Sequence, residues 1–198
     1  MEIIFLLDTS NSMSGERINQ LNHAMFDVLN NIEYITSKND DVSNVRVISF
    51  NNVAKFVVGN ANEGVPVYSA CETWTNLVSK GATDTAHAIR LCKKSIECDY
   101  SNSNFNETIV VLVTDGQCDS KEDFQDAMSE IKMSILKMKN KSIYFTAIGV
   151  CDYDALELKE FVSLNDISTM NGLSKDSVHT IDDIGCLNDV IEKALSYN

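Results

Sequence analysis

Three short segments rich in oxygen-bearing side chains carry the most distinctive chemistry of this chain. The first is Asp8–Gly15 (Asp-Thr-Ser-Asn-Ser-Met-Ser-Gly), the second is Gly81–Thr85 (Gly-Ala-Thr-Asp-Thr), and the third is Thr114–Gly116 (Thr-Asp-Gly). Their side chains offer carboxylate and hydroxyl oxygens, and no imidazole or thiolate is present among them. Such hard donors favour Mg²⁺, Mn²⁺ or Ca²⁺ over zinc or copper.

The alternation within the first segment allows three side chains to face one point. Asp8, Ser10 and Ser12 are alternate residues, so their oxygens can turn the same way where a strand gives way to a loop. Asn11 lies between the serines, and asparagine tolerates the left-handed conformations that a tight loop can require. Taken alone, this segment is better explained as a loop whose Ser and Asp oxygens accept hydrogen bonds from turn amides. The two later segments make a divalent metal site the favoured interpretation.

Strand-like and helix-like segments alternate along almost the whole chain, which predicts a doubly wound α/β domain with helices on both faces. Two of the strands are separated by two turn residues, so they predict an antiparallel hairpin and one antiparallel edge strand on a mostly parallel sheet. The predicted strands cover residues 2–7, 44–50, 53–58, 108–113, 142–150 and 178–181. The predicted helices cover residues 18–35, 71–77, 85–96, 121–139, 156–164 and a last segment capped by Asp182 or Asp183.

Ligands of such folds bind beyond the carboxyl ends of the strands, near the point where the strand order reverses. Asp8 directly follows the first predicted strand, and Asp115 follows the strand with the strongest pattern, residues 108–113. Thr83 lies just before the helix predicted over residues 85–96. We therefore expect all three segments at one edge of the sheet.

These segments, in this order, resemble the metal-ion-dependent adhesion site (MIDAS) of von Willebrand factor A domains. The resemblance covers nearly all of residues 1–198, which we interpret as a single domain with the Rossmann-like fold of that family. It implies that Ser10 and Ser12 ligate the metal directly and that Thr83 does so in at least one state. It also implies that Asp8 and Asp115 act mainly through bound waters.

The same resemblance implies a function. A partner protein would offer an Asp or Glu carboxylate to the bound ion, which we expect to be Mg²⁺, with Mn²⁺ and Ca²⁺ as alternatives. We expect no enzymatic activity, because no nucleophile and base are paired in the sequence. Asn11 departs from the family pattern, since many members have glycine there. Within the family, the run from Asp8 to Gly15 is similar to intracellular members such as the tellurite-resistance TerY-like proteins.

Two other function classes compete with this hypothesis. A Mg²⁺-dependent phosphohydrolase of the haloacid dehalogenase type also has an aspartate after its first strand, but it needs a second aspartate two residues later. Ser10 stands there and cannot act as that acid. A nucleotide-binding domain would need a glycine-rich phosphate loop after a strand, and neither common form of that loop is present.

Charge and cysteine usage narrow the partner classes and the location. The formal net charge of −13 argues against nucleic acid and against anionic membranes. The six cysteines form no Cys-x-x-Cys pair, so we expect reduced thiols and a cytoplasmic location, with Cys92 as a buried apolar residue.

Asp84 is interpreted as a helix-start charge, whereas Asp119 and Asp152–Asp154 are interpreted as solvated loop acids. Met13 is equally compatible with the rim of the site and with the core.

Overall fold

A computed structural model describes residues 1–36, 44–102, 107–138, 141–151, 153–168, 178–182 and 184–196. Within these residues one sheet contains seven strands: β1 (Glu2–Asp8), β2 (Asn44–Phe50), β3 (Lys55–Val58), β4 (Val65–Pro66), β5 (Glu107–Thr114), β6 (Ser142–Val150) and β7 (Val178–Ile181). The α-helices of the described residues are α1 (Glu16–Thr36), α2 (Val67–Thr73), α3 (Thr85–Asn102), α4 (Lys121–Ile135), α5 (Ala155–Val162), α6 (Asn165–Ser168) and α7 (Leu187–Ser196). No helix among them is long and apolar enough to cross a lipid bilayer.

The strand order is β3-β2-β1-β5-β6-β7, which confirms the predicted doubly wound sheet. β1 pairs in parallel with β2 on one side and with β5 on the other, so the direction of winding reverses at β1. Both β3 and β4 pair antiparallel with β2. The predicted antiparallel edge is therefore present, and the chain forms it in two pieces. The reversal point lies between the carboxyl ends of β1 and β5.

The sheet is covered on both faces, which explains why β1 is an uninterrupted apolar run in the sequence. Ile3, Phe5 and Leu7 of β1 point into a core shared with α1, α2 and α7. Ile4 and Leu6 point into the opposite core, which contains residues of α3, α4 and α5. The side chains of β1 are fully buried on both faces, so its register with the neighbouring strands is strongly fixed.

Several predicted boundaries were wrong. The helix predicted over residues 71–77 is α2 at Val67–Thr73, because Pro66 has the fixed φ that suits the residue before a helix and Trp74 is extended. β3 begins at Lys55, and a four-residue turn replaces the predicted two-residue turn of the hairpin. α3 continues to Asn102, and the last helix begins at Leu187 after a short 3-10 turn. Lys139 and Asp183 lie outside the described residues.

The connection between α2 and α3 is extended and is tied to the rest of the fold by amide hydrogen bonds. The Asn22 side chain of α1 accepts from the Leu77 N–H at 2.7 Å and donates to the Leu77 carbonyl at 3.0 Å. The Lys80 N–H donates to the Thr9 carbonyl at 2.8 Å. These hydrogen bonds hold the connection beside the carboxyl end of β1, just before the chain reaches Thr83.

Gly81 is required at the end of this connection for two reasons. Its φ is +75°, in the left-handed region that residues with a Cβ rarely adopt. A Cβ at this position would lie 1.6 Å from Oδ1 of Asn52, and that oxygen accepts the Ala82 N–H at 3.0 Å. Any larger residue must therefore displace the Asn52 side chain and break its bond to Ala82.

At the opposite end of the sheet, Arg46 of β2 binds two buried carboxyl groups. Its guanidinium donates to Asp99 through two bonds of 2.7 and 3.0 Å and to Glu2 through a short contact. Its Nε donates to the Asn60 carbonyl at 2.8 Å. One guanidinium can neutralise only one carboxylate, and burial, followed by the adjacent Asp99, raises the pKa of Glu2 to about 9. Glu2 is therefore protonated in the folded chain at neutral pH.

We predict that Gly81→Ala lowers the free energy of unfolding by about 2–4 kcal/mol, from backbone strain and from loss of the Asn52–Ala82 bond. The measurement is urea unfolding followed by circular dichroism. Gly15→Ala is the matched control, because Gly15 also has a positive φ of 73° but a Cβ added to it would meet nothing within 4 Å. It should lose only about 1 kcal/mol.

The double variant Gly81→Ala/Asn52→Ala separates the two causes. We expect it to be more stable than the sum of the two single changes implies, since the clash is then absent. Additive losses would show that Asn52 does not restrict Gly81.

A second prediction concerns pH. In the unfolded chain Glu2 has its ordinary pKa of 4.5, so the folded state binds an extra proton between that pH and about 9. Stability must then fall as the pH rises through this window. Glu2→Gln keeps a donor and an acceptor but cannot ionise. Its stability relative to the parent chain should increase by roughly 3 kcal/mol between pH 5.5 and 8.

The same unfolding series with Glu72→Gln, at an exposed position, provides the control. A Glu2→Gln chain whose pH profile stays parallel to that of the parent would contradict a neutral Glu2.

Candidate metal centre

Asp8 is the last residue of β1, and both oxygens of its carboxylate accept hydrogen bonds. Oδ1 accepts from the Ser10 N–H at 2.8 Å, and Oδ2 accepts from the Thr114 hydroxyl at 2.6 Å. Burial raises the pKa of Asp8 to about 6, and these two hydrogen bonds oppose that rise. Asp8 is therefore mostly ionised at neutral pH and is oriented by the ends of both central strands.

The two serines and Asp115 form a continuous chain of short polar contacts. A single 3-10 turn over Asn11–Met13 follows Ser10. Oγ of Ser10 lies 2.8 Å from Oγ of Ser12, and the Ser12 hydroxyl donates to Oδ1 of Asp115 at 2.6 Å. Asp8, Ser10 and Asp115 are buried, whereas Ser12 is exposed. The cluster thus opens to solvent on the side of Ser12.

Thr83 lies at the same place, opposite Gly116. A Cβ on Gly116 would lie 3.7 Å from Oγ1 of Thr83 and 3.8 Å from Oγ of Ser12. The hydroxyls of Thr83 and Ser12 therefore both lie beside Gly116. The backbone of Thr83 is fixed by Asp119, which accepts the Thr83 N–H at 2.8 Å and donates its own N–H to the Thr83 carbonyl at 3.0 Å.

A cation of the protein itself contacts this cluster. Nη1 of Arg17, in the first turn of α1, lies 2.5 Å from Oδ2 of Asp115. The same nitrogen donates to the Ser12 carbonyl at 3.2 Å. The Asp115 side chain is fully buried, and the Arg17 side chain is 28% exposed. Two oxygens of the cluster, one from Asp115 and one from Ser12, thus already accept a positively charged group.

The donor set fits a hard divalent cation. Five oxygen-bearing side chains meet here, two of them carboxylates and three of them neutral hydroxyls, which are the donors preferred by Mg²⁺, Mn²⁺ and Ca²⁺. Among the described residues no group of three His, Cys, Asp or Glu side chains is placed to bind a metal. All five residues selected from the sequence are brought together: Asp8, Ser10, Ser12, Thr83 and Asp115.

Sequence reasoning missed three contributors. Thr114 stood out only as part of a motif, although its hydroxyl binds Asp8. Asp119 is exposed, as expected of a loop acid, but it also fixes Thr83; its position four residues after Asp115 in one loop was the available signal. Arg17 was not singled out, although it stands two residues after Gly15, in the first turn of the helix that follows the first segment.

The predicted reason for Asn11 was wrong. The only described non-glycine residue with a positive φ is Cys151, so Asn11 does not adopt a left-handed conformation. Asn11 instead binds Gly81 twice: its N–H donates to the Gly81 carbonyl at 2.9 Å, and its side chain accepts the Gly81 N–H at 3.1 Å. Asparagine at this position therefore joins the first segment to the second.

The structure also shows where Met13, Cys92, Asp84 and Asp154 lie. Met13 is fully buried in the core, as is Cys92. Asp84 accepts the His87 N–H at 2.9 Å, as expected of a residue at a helix start. Asp154 caps α5 by accepting the N–H groups of its first turn, and Asp152 lies outside the described residues.

Solved structures with the same fold come from several organisms. The "von Willebrand factor type A from Catenulispora acidiphila" has a TM-score of 0.71 at 15% identity, covering 98% of this chain and 42% of that one. Proximal thread matrix protein 1 from the mussel byssus, in a form with a zinc-occupied MIDAS motif, has a TM-score of 0.62 at 17% identity, covering 98% and 44%. A mutant of the PilB minor pilin from Streptococcus sanguinis has a TM-score of 0.62 at 13% identity, covering 98% and 61%.

This chain therefore spans less than two thirds of the length of each of these chains. No curated protein matches it. The family profile of the von Willebrand factor type A domain matches residues 2–193, which is nearly the whole sequence. Together with the doubly wound sheet, this match shows that the chain belongs to the von Willebrand factor type A domain family.

Proposed function

We propose that residues 1–198 form a single domain that binds a protein partner through a divalent metal and has no enzymatic activity. The observation that carries this proposal is the convergence of the Ser10, Ser12 and Asp115 oxygens, linked by contacts of 2.6 and 2.8 Å. These residues lie at the edge of the sheet where folds of this kind bind ligands. Family membership supports the same function.

Each of the five residues has a distinct role in this proposal. Ser10, Ser12 and Thr83 would hold the ion directly through their hydroxyls, and Asp8 and Asp115 would act mainly through waters. Neutral hydroxyls leave most of the ionic charge uncompensated, so the ion, when bound, attracts a carboxylate from outside. The exposure of Ser12 provides access for that group. We propose an Asp or Glu side chain of a partner protein as the incoming ligand.

Mg²⁺ is the proposed ion, with Mn²⁺ and Ca²⁺ as alternatives, because every side chain in the cluster is a hard oxygen donor. The two carboxylates also require positive charge nearby, and the site lies in a chain with a net charge of −13. That overall charge attracts cations and disfavours nucleic acid and anionic membranes as partners.

We also propose a reducing, cytoplasmic location. All six cysteines are free thiols, and two of them, Cys92 and Cys118, are buried among apolar side chains. Reduced thiols persist in the cytosol, whereas disulfides form in oxidising compartments. Within the family, the similarity of the first segment to intracellular TerY-like members points the same way.

A phosphohydrolase is the weaker alternative. Asp8 would have to attack phosphorus as a nucleophile, but it is fully buried and both of its oxygens already accept hydrogen bonds. Ser10, two residues later, has no acidic proton to give to a leaving group. No contact in the cluster favours phosphoryl transfer.

Metal titration tests the proposal. We predict that the parent chain binds Mg²⁺ and that Ser12→Ala or Asp115→Ala weakens its affinity at least about tenfold, as expected when a ligand or its supporting group is lost. Isothermal titration calorimetry measures this directly. Ser14→Ala is the matched control, because Ser14 is an exposed serine two residues beyond Ser12, outside the cluster. Equal affinity in the parent, Ser12→Ala and Asp115→Ala chains would refute the proposed site.

A capture experiment tests the partner. Immobilised parent chain should retain a protein in Mg²⁺ and release it when chelator is added, because the ion bridges the two proteins. Ser12→Ala should retain none of it, and Ser14→Ala should behave as the parent does. A partner that remains bound in chelator would show that recognition does not use the metal.

A further inference from the structure

Arg17 brings a positive charge of the protein into the metal centre. Its Nη1 contacts the buried carboxylate of Asp115 at 2.5 Å and the carbonyl of Ser12 at 3.2 Å. Both acceptors belong to the segments that the proposed function assigns to the ion. We propose that Arg17 is a built-in competitor of the divalent metal, which stabilises the metal-free site and must release Asp115 when the ion binds.

The charges of the cluster explain why a competing cation is needed. Asp8 and Asp115 are both buried in the same polar cluster, so their negative charges repel each other. A buried carboxylate without a counter-charge is strongly unfavourable. The Arg17 guanidinium offsets this cost at Asp115. Without it, the metal-free fold would hold two adjacent carboxylates without a compensating charge at Asp115.

The position of Arg17 also allows it to leave. It lies in the first turn of α1, and 28% of its side chain is exposed, so the guanidinium has a path to solvent. An arginine side chain is long and has several rotatable bonds, so only the side chain has to move. The main-chain segments that hold Ser10, Ser12 and Thr83 can stay in place during the exchange.

Exchange of one cation for another lowers the apparent affinity for the metal. A divalent ion next to Ser12 and Asp115 would lie within a few ångströms of the guanidinium, where like charges repel strongly. Part of the binding free energy of the ion is therefore used to displace Arg17. We infer that this residue sets the Mg²⁺ concentration at which the site fills, and so the concentration at which a partner carboxylate can bind. This inference rests on the proposed function.

The test compares the parent chain with Arg17→Gln in two measurements. Calorimetric titration with Mg²⁺ alone should give a dissociation constant about three- to tenfold lower for Arg17→Gln. Thermal unfolding in chelator should show a lower melting temperature for Arg17→Gln, because Asp115 has lost its counter-charge. A residue that merely supported the fold would lower stability without raising metal affinity.

Arg90→Gln is the matched control. Arg90 is similarly exposed and also forms ion pairs, with Asp123 and Glu130, but it lies between α3 and α4, outside the cluster. We expect its Mg²⁺ affinity to equal that of the parent. Arg17→Lys, which keeps the charge and changes the fold least, should bind Mg²⁺ with an affinity between those of the parent and Arg17→Gln.

The possible failures are distinguishable. A parent chain that does not bind Mg²⁺ overturns the proposed function. A parent that binds Mg²⁺, together with an Arg17→Gln chain of equal or weaker affinity, overturns the role of Arg17 alone. Equal stability of the two chains in chelator would overturn it as well, since Arg17 would then provide no counter-charge.

Discussion

The hydrogen bond from Thr114 to Asp8 joins the ends of two parallel strands that are 106 residues apart in the sequence. It forms because β1 and β5 are neighbours with a fixed register, in which Leu7 faces Val113. Apolar side chains on both faces of β1 maintain that register, since a slip by one residue would move every side chain to the opposite core. The polar cluster therefore depends on the two cores beneath it.

Two kinds of support meet at this edge of the sheet. The segment that follows β1 and the residue that follows β5, Asp115, are positioned by the strands themselves. Thr83 is positioned by a long connection that has no strand pairing of its own. That connection is fixed by side chains from α1, from the hairpin and from the loop after β5: Asn22, Asn52 and Asp119. The strands supply rigidity, and the connection completes the cluster.

The sequence was sufficient to predict the fold and to select five residues that the structure brings together, because both depend on strong patterns. Buried parallel strands are continuous apolar runs, and strand ends of a doubly wound sheet share one edge. The exact course of residues 59–84 was not predictable, since its shape comes from contacts distant in sequence, such as Asn11 with Gly81 and Asn22 with Leu77. Arg17 and Asp119 were missed because their partners, Asp115 and Thr83, lie on other segments of the chain, so their positions in the sequence do not by themselves reveal these contacts. Whether the five residues ligate a metal is a prediction that only the proposed titrations can decide.

The hydrogen bonds made by the side-chain amides of Asn11, Asn22 and Asn52 make the Thr83 connection less sensitive to solution conditions than ion pairs would. Neutral amides do not titrate, and counter-ions in the solvent do not screen them as they screen exposed charges. The part of the framework that these amides hold is thus insulated from changes in acidity and ionic strength. The ion pair of Arg17 with Asp115 inside it can therefore form and break while the surrounding backbone keeps its shape.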